Sequence, residues 1–209
     1  MKKFKPRCKA SHEKLTKLAR LGLVYGLVVL LLSGCAAVII GGAAVATVVA
    51  TDRRSAGTVL DDQTIEIKVG DHIYAAEQIG DQDHIKVEVY QGVVLLVGEV
   101  SDEAKRQLAS QRAAEVEDVE RVVNELDLAT RANAGEMLDN TWLTTKVNTV
   151  LVKENPVEGF DATRIKVVSS RNNVYLMGLV TRDEGDKVTE IVRNISGVEK
   201  VVKVFSYMD

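Results

Sequence analysis

Two stretches of this chain repeat each other at a constant offset of 80, and that repeat restricts the possible folds more than any other feature. "IKVEVYQGVVLLVGEVSDE" from Ile85 lies against "IKVVSSRNNVYLMGLVTRD" from Ile165. Further on, "VEDVERVV" from Val116 matches "ISGVEKVV" from Ile195, one residue out of step. Upstream, "TIEIKVGDHI" from Thr64 aligns with "WLTTKVNTVL" from Trp142. Two copies are too few for a solenoid. The chain therefore reads as a tandem pair of modules at 61–128 and 139–209, joined by a linker at 129–138.

Each copy has the pattern helix, strand, strand, helix, strand. Ile85, Val87 and Val89 alternate with Lys86 and Glu88, as a half-buried strand should. "YQG" and "RNN" supply turn residues that tolerate positive φ, the signal of a hairpin. The second strands, "VVLLVGEV" and "NVYLMGLV", are almost continuously apolar, which places them centrally. Thr181 and Glu184 form a capping-box pattern before a helix whose stripe is Val188, Ile191, Val192 and Ile195. A final strand after that helix favours parallel pairing through a crossover. The expected fold is α+β: two two-layer sandwiches, each a mixed three-stranded sheet with two helices on one face. Gly98 and Gly178 interrupt both middle strands at one place, so they are read as structural, marking a bulge or a closely packed helix backbone.

The first fifty residues carry a different message. Residues 1–20 hold eight bases against one acid, and an apolar run from Leu21 to Leu32 ends in "LSGC". This is a secretory signal, 1–34, whose ending resembles the bacterial lipobox with Cys35 as the acylated residue. More than one acyl chain is needed for durable anchoring, and lipobox processing supplies this. Ala36 after the Cys, rather than Asp, points to export to the outer membrane. A plain spanning helix over Leu21–Ala50 is the alternative, but the second half of that stretch, "AAVIIGGAAVATVVA", is rich in Gly and Ala. Residues 35–60 then form a lipidated linker. Cys8 leaves with the signal and Cys35 becomes the anchor, so the mature chain has no disulfide. Its net charge of −10 is poorly suited to nucleic acid.

The repeated pattern, with its Gly in "VLLVGEV" and "VYLMGLV" followed by a helix and "GVEKV", resembles the BON domain of bacterial envelope proteins. Together with the lipobox, "TDRRSAGTVLDDQTIE" and "DNTWLTTKV", the resemblance covers essentially the whole mature chain. It implies a two-module lipoprotein on the periplasmic side of the outer membrane. It implies binding to anionic phospholipid, such as phosphatidylglycerol or cardiolipin, through the first helix of the second module. It further implies a role in envelope integrity, enrichment at the division site and association with the outer-membrane protein assembly machinery.

The residues themselves distinguish the modules. Residues 61–128 hold 17 acids and 6 bases, whereas 139–209 hold 10 of each. An anionic surface repels the first and admits the second. In the first helix of the second module the apolar stripe is Leu143, Val147, Val150 and Leu151, and Trp142 lies roughly 120° away from it. The indole shares its face with Lys146, Thr149 and Lys153, a set suited to acidic headgroups. The competing reading packs Trp142 against the linker or the first module.

The other candidates are structural. Phe160 in "KENPVEGFD" is expected to face the core, and His72 to pack beside its helix stripe. "DQDH" at 81–84 is read as a solvated loop rather than a metal site. The mature chain has two His, no free thiol and no nucleophile, phosphate-loop or metalloprotease motif, so a non-catalytic protein without a cofactor is expected.

Overall fold

The computed structural model describes residues 53–154 and 156–208. The signal peptide, Cys35 and the linker through residue 52 lie outside the described residues. Among those described, no helix is long and apolar enough to cross a membrane.

The first module runs α1 (Ala56–Tyr74), β1 (His84–Tyr90), β2 (Val93–Val100), α2 (Glu103–Ala114) and β3 (Arg121–Leu128). The second repeats it as α3 (Ala134–Glu154), β4 (Ile165–Ser170), β5 (Asn173–Val180), α4 (Arg182–Arg193) and β6 (Lys200–Tyr207). In each sheet the second strand is central, antiparallel to the first and parallel to the third. This is the expected α+β architecture.

Both first helices begin earlier than the repeat places the modules. α1 starts behind Ser55, whose side chain accepts from the Thr58 N–H. α3 starts at Ala134, so half of the expected linker 129–138 is helix. The Asn133 side chain accepts from the Gly135 and Glu136 N–H groups, and the Asn133 N–H donates to the Glu136 carboxylate. That reciprocal cap turns an Ala/Gly-rich stretch into the first turn of a helix.

The hairpins are two-residue turns with positive φ at both positions: Gln91 49° and Gly92 70°, then Arg171 46° and Asn172 63°. Such turns match the twist of the flanking strands. The preceding helix secures each of them. Asp62 accepts from the Gln91 and Gly92 N–H groups at 2.8 and 2.9 Å, and Asn140 accepts from the Arg171 N–H at 2.9 Å.

Gly98 and Gly178 pair with Ile85 and Ile165 in ladders that run without a bulge. At Gly98, φ is +119° and a Cβ would collide with the His84 carbonyl oxygen. At Gly178 it would lie 2.7 Å from the Arg164 carbonyl oxygen. The close backbone thus lies at the start of the neighbouring edge strand, at His84 in β1 and at Arg164 just before β4, which corrects the expectation of a bulge or a packed helix.

Each module has its own core beneath its helices. Ile65, Val69, Ile73, Val94 and Leu96 centre the first, and Leu143, Val147, Leu151, Val174 and Leu176 the second. Phe160 belongs to the second core, as expected. A third core was not expected. Tyr90, Val93, Leu95 and Val97 from the first sheet pack with Val168, Tyr175, Met177 and Val204 from the second. The helix-free faces of the two sheets therefore bury each other. Their central strands are almost continuously apolar because alternate side chains enter different cores.

Charged groups close the rim of this contact. Lys166 pairs with Glu88 and Glu66, and Lys200 with Glu125. Burial works against ionised Glu88, yet Lys166 and Lys86 hold its carboxyl below the ordinary range. Glu99, almost fully buried, accepts from Arg171 Nε at 3.3 Å and the Ala132 N–H at 3.1 Å and meets His84 Nδ1 at 3.2 Å. Glu99 thus ties the linker and the second module's hairpin to the first sheet. The chain entering from the amino-terminal side is held to both modules. Arg53 forms a two-point pair with Glu184 at 2.8 Å and donates to the Leu179 carbonyl, while Arg54 pairs with Asp62 and lies over the Tyr90 ring.

The Arg53 guanidinium, with the Thr181 backbone, holds the Glu184 carboxyl down to about 2, against an ordinary 4.5. A carboxyl lowered in the fold contributes stability above its unfolded value, and this is lost as pH falls through the folded one. Arg53→Gln is therefore expected to lower the urea midpoint at neutral pH, with the gap from wild type closing between about pH 5 and about pH 2. Urea titrations across that range check this.

Candidate functional site

α3 is the helix on which Trp142 lies, and its two faces are sharply divided. Leu143, Val147 and Leu151 are buried, and Val150 is partly so. On the opposite side Leu138, Trp142 and Val152 are 70%, 60% and 68% exposed. Trp142 therefore packs neither under the linker nor against the first module. At ~100° per residue, Leu138, Trp142, Thr145, Thr149 and Val152 form one outward stripe opposite the core.

The threonines complete this surface. Thr141, Thr145 and Thr149 donate their hydroxyls to the carbonyls of Met137, Thr141 and Thr145 at 2.9, 2.9 and 2.8 Å. A hydroxyl bonded within its own helix makes no demand on solvent. Thr149 thus adds a satisfied hydroxyl and a methyl to the stripe rather than a free polar contact.

Lys146 and Lys153 flank the stripe on one side. Lys146 Nζ sits 4.7 Å from the Trp142 ring centroid and donates to the Ser196 carbonyl at 2.6 Å, so part of its charge is already committed. Lys153 is exposed and makes no ion pair among the described residues. The four residues named from sequence, Trp142, Lys146, Thr149 and Lys153, do share a face. Leu138 and Val152 were missed: the first had been assigned to the linker, the second was hidden beside the core residue Leu151. The spacing 138, 142, 145, 149, 152 would have found both.

α1 shows what is particular to α3. Its outward positions include Leu60, Ile67 and Tyr74, exposed at 63%, 66% and 47%. Apolar exposure is thus common to both helices, and the difference lies in charge and aromatic character. Asp71 stands where α3 has Thr149, and the Tyr74 hydroxyl is fixed to the Ile85 backbone by bonds of 2.9 and 3.1 Å. His72 bridges helices rather than packing in the core, its Nδ1 meeting the Arg112 carbonyl at 2.9 Å.

The "DQDH" loop also differs from expectation. Asp83 is buried rather than solvated, accepting from the Gly80 and Ser101 N–H groups and from Lys105 Nζ. Burial opposes its charge, but these donors hold its carboxyl below the ordinary value. Among the described residues, no group of three His, Cys, Asp or Glu side chains is arranged to hold a metal.

Comparison with known proteins places this geometry. The BON domain matches residues 61–130 and 139–209. The outer membrane lipoprotein DolP of Haemophilus influenzae is 37% identical over 195 residues, covering 93% of this chain and 99% of that protein. A 21 kDa hemolysin of Actinobacillus pleuropneumoniae is 32% identical over 157 residues, covering 75% of this chain and 79% of the relative. Among solved structures, the C-terminal domain of the Chlamydia trachomatis secretion protein CdsD covers 68% of this chain at 10% identity and a TM-score of 0.28, too distant to bear on the fold; 96% of that domain is covered.

Proposed function

This chain belongs to the BON-domain family, with two copies of the module, and on that premise we propose that it is an outer-membrane lipoprotein binding anionic phospholipid through the outward face of α3. One observation carries the reading: Leu138, Trp142 and Val152 stand exposed on a single helix with Lys146 and Lys153 along its flank. Indole suits the headgroup boundary because its ring is apolar and its N–H stays hydrated. Apolar neighbours enter beside it, and each lysine near an anionic surface adds ~1 kcal/mol, screened by salt. Self-bonded threonines let the stripe enter without stranding hydroxyls.

The name of the Haemophilus influenzae relative supports the location. Acylation at Cys35 would supply the anchor. The anchor turns weak affinity into lasting contact by raising local concentration. In this reading the protein supports outer-membrane integrity and gathers at the division site by recognising lipid there.

A second reading has its own observation. Leu60 and Ile67 of α1 are exposed on an acid-rich module, a surface suited to a protein partner such as a component of the outer-membrane protein assembly machinery. The two surfaces lie on different helices and are compatible.

Flotation with phosphatidylglycerol vesicles and with neutral vesicles tests the lipid reading. Lys146→Gln with Lys153→Gln is expected to weaken binding to the anionic vesicles about tenfold at low ionic strength, with the gap narrowing as salt rises. Binding indifferent to lipid charge, with a robust crosslink from α1 to an envelope protein, would favour the second reading.

A further inference from the structure

At one end of the contact between the sheets, the carboxylates of Glu99, Glu125 and Asp127 meet only Arg171 and Lys200 from the second module, among the described residues. Val123, Glu125 and Asp127 alternate along β3 and share the face turned to that module, where Val123 joins the common core. Asp127 stands beside Glu99, its register partner on β2. Two of these acids are satisfied. Arg171 donates Nε to Glu99 and Nη2 to the Thr130 carbonyl, and Lys200 Nζ meets Glu125 at 2.9 Å. Asp127 is not: one of its carboxylate oxygens is buried without a hydrogen-bond partner.

The surrounding elements do not supply the missing donor. From β1, His84 meets Glu99 at 3.2 Å and Lys86 pairs with Glu88. Arg131 of the linker donates to the Asp81 carbonyl, and Glu199 before β6 is held by the Asn172 amide. On β5, burial, followed by Glu125 and Asp127, raises the Tyr175 hydroxyl above its ordinary range. Burial, with Glu99 and Glu125, likewise raises the Asp127 carboxyl, and Arg171 and Lys200 oppose this without reversing it. A buried carboxylate oxygen that lacks a donor and faces like charge is relieved most simply by a proton.

We propose that this end of the seam is a proton-operated clasp: neutral Asp127 lets the two sheets close more firmly than charged Asp127 does. The contact between the modules then follows the acidity of the surroundings and is tighter in mild acid than at neutral pH. A carboxyl raised in the fold contributes stability that is fully present below its unfolded value, near 3.8, and lost as pH rises through the folded one. The paired acids behave oppositely. Glu88 and Glu184 are held below their ordinary values, so their contributions are lost in stronger acid. The clasp therefore acts on the acid side of neutrality, before those pairs fail.

The test uses the full chain and two amides that report on the seam. The Leu179 N–H donates to the Tyr90 hydroxyl across the modules, and the linker's Ala132 N–H donates to Glu99. Their hydrogen-exchange protection, corrected for intrinsic exchange, measures opening of the contact. In wild type it is expected to rise several-fold between about pH 7 and about pH 5. Asp127→Asn is expected to hold the acid value at both. The urea midpoint of that variant should exceed the wild-type midpoint at neutral pH, the gap closing as pH falls toward about 4. His84→Gln should leave this gap in place, which separates the imidazole from the carboxyl. Wild-type protection that stays flat or falls in acid overturns the proposal, as does a folded Asp127→Asn chain less stable than wild type at neutral pH. The Asp127 carboxyl carbon, titrated by NMR in wild type, needs no variant. A midpoint above 3.8 supports the clasp, and one at or below it overturns the clasp.

Discussion

Trp142→Glu is expected to lower affinity for phosphatidylglycerol vesicles by about two orders of magnitude while leaving the melting temperature within about a degree of wild type. Moving about half of an indole surface out of water at ~25 cal/mol per Å² is worth ~2 kcal/mol, and a carboxylate facing an anionic surface costs ~1 kcal/mol more. Together these are ~3 kcal/mol, or roughly a hundredfold in the binding constant. Stability should not follow, because the ring is 60% exposed and its close contact is Lys146 at 4.7 Å. Glu four residues before Lys146 replaces that contact with a favourable helix pair. The measurement belongs on the two-module chain rather than on a 139–209 fragment. Cutting there removes Leu138 and the Asn133–Glu136 cap, and bares Tyr175, Met177 and Val204. A loss below threefold in a folded variant would mean that this face does not meet the membrane.

Much of this could be read from the chain because local rules and the repeat agreed. The 80-residue offset located the hairpins, and turn chemistry indicated their form, since Gly92 and Asn172 are residue types that adopt positive φ readily. Thr181 and Glu184 announced α4, where the capping box is present on both sides. Helix starts were less legible. Asn133 and Glu136 carry the same signal as Thr181 and Glu184, but lie in Ala/Gly-rich sequence that reads as linker. Residues 139 onward then gave the face of Trp142 without Leu138. The contact between modules was hidden for a different reason. Periodicity says that β2 and β5 are buried on both sides, but not that each covers the other. A sheet partner and a second helix layer leave the same apolar run. The glycines show the same limit: a recurring Gly reports close approach, and only the fold identifies the strand carbonyl that approaches.

Met177→Glu is expected to cost at least ~3 kcal/mol and to uncouple the modules rather than unfold either. Met177 is fully buried, packed with Tyr90, Leu95, Val97 and Tyr175 between the sheets, and points away from the helices of its own module. A carboxylate there would lose its water among apolar side chains and find no designed partner. Burial also raises the Tyr175 hydroxyl above its ordinary range, so the surroundings already disfavour negative charge. The rim cannot compensate. Lys200–Glu125 is a half-exposed pair, and such pairs contribute ~0–1 kcal/mol. Residues 61–130 and 139–209 are small units without a disulfide, so the shared core supplies burial that neither has alone. Separated modules should keep their helices and sheets, melt in a broadened or split transition, and be cut faster by trypsin at Arg131 in the linker. A single sharp transition at the wild-type midpoint, with no faster cleavage at Arg131, would mean that the sheets do not close on each other in solution.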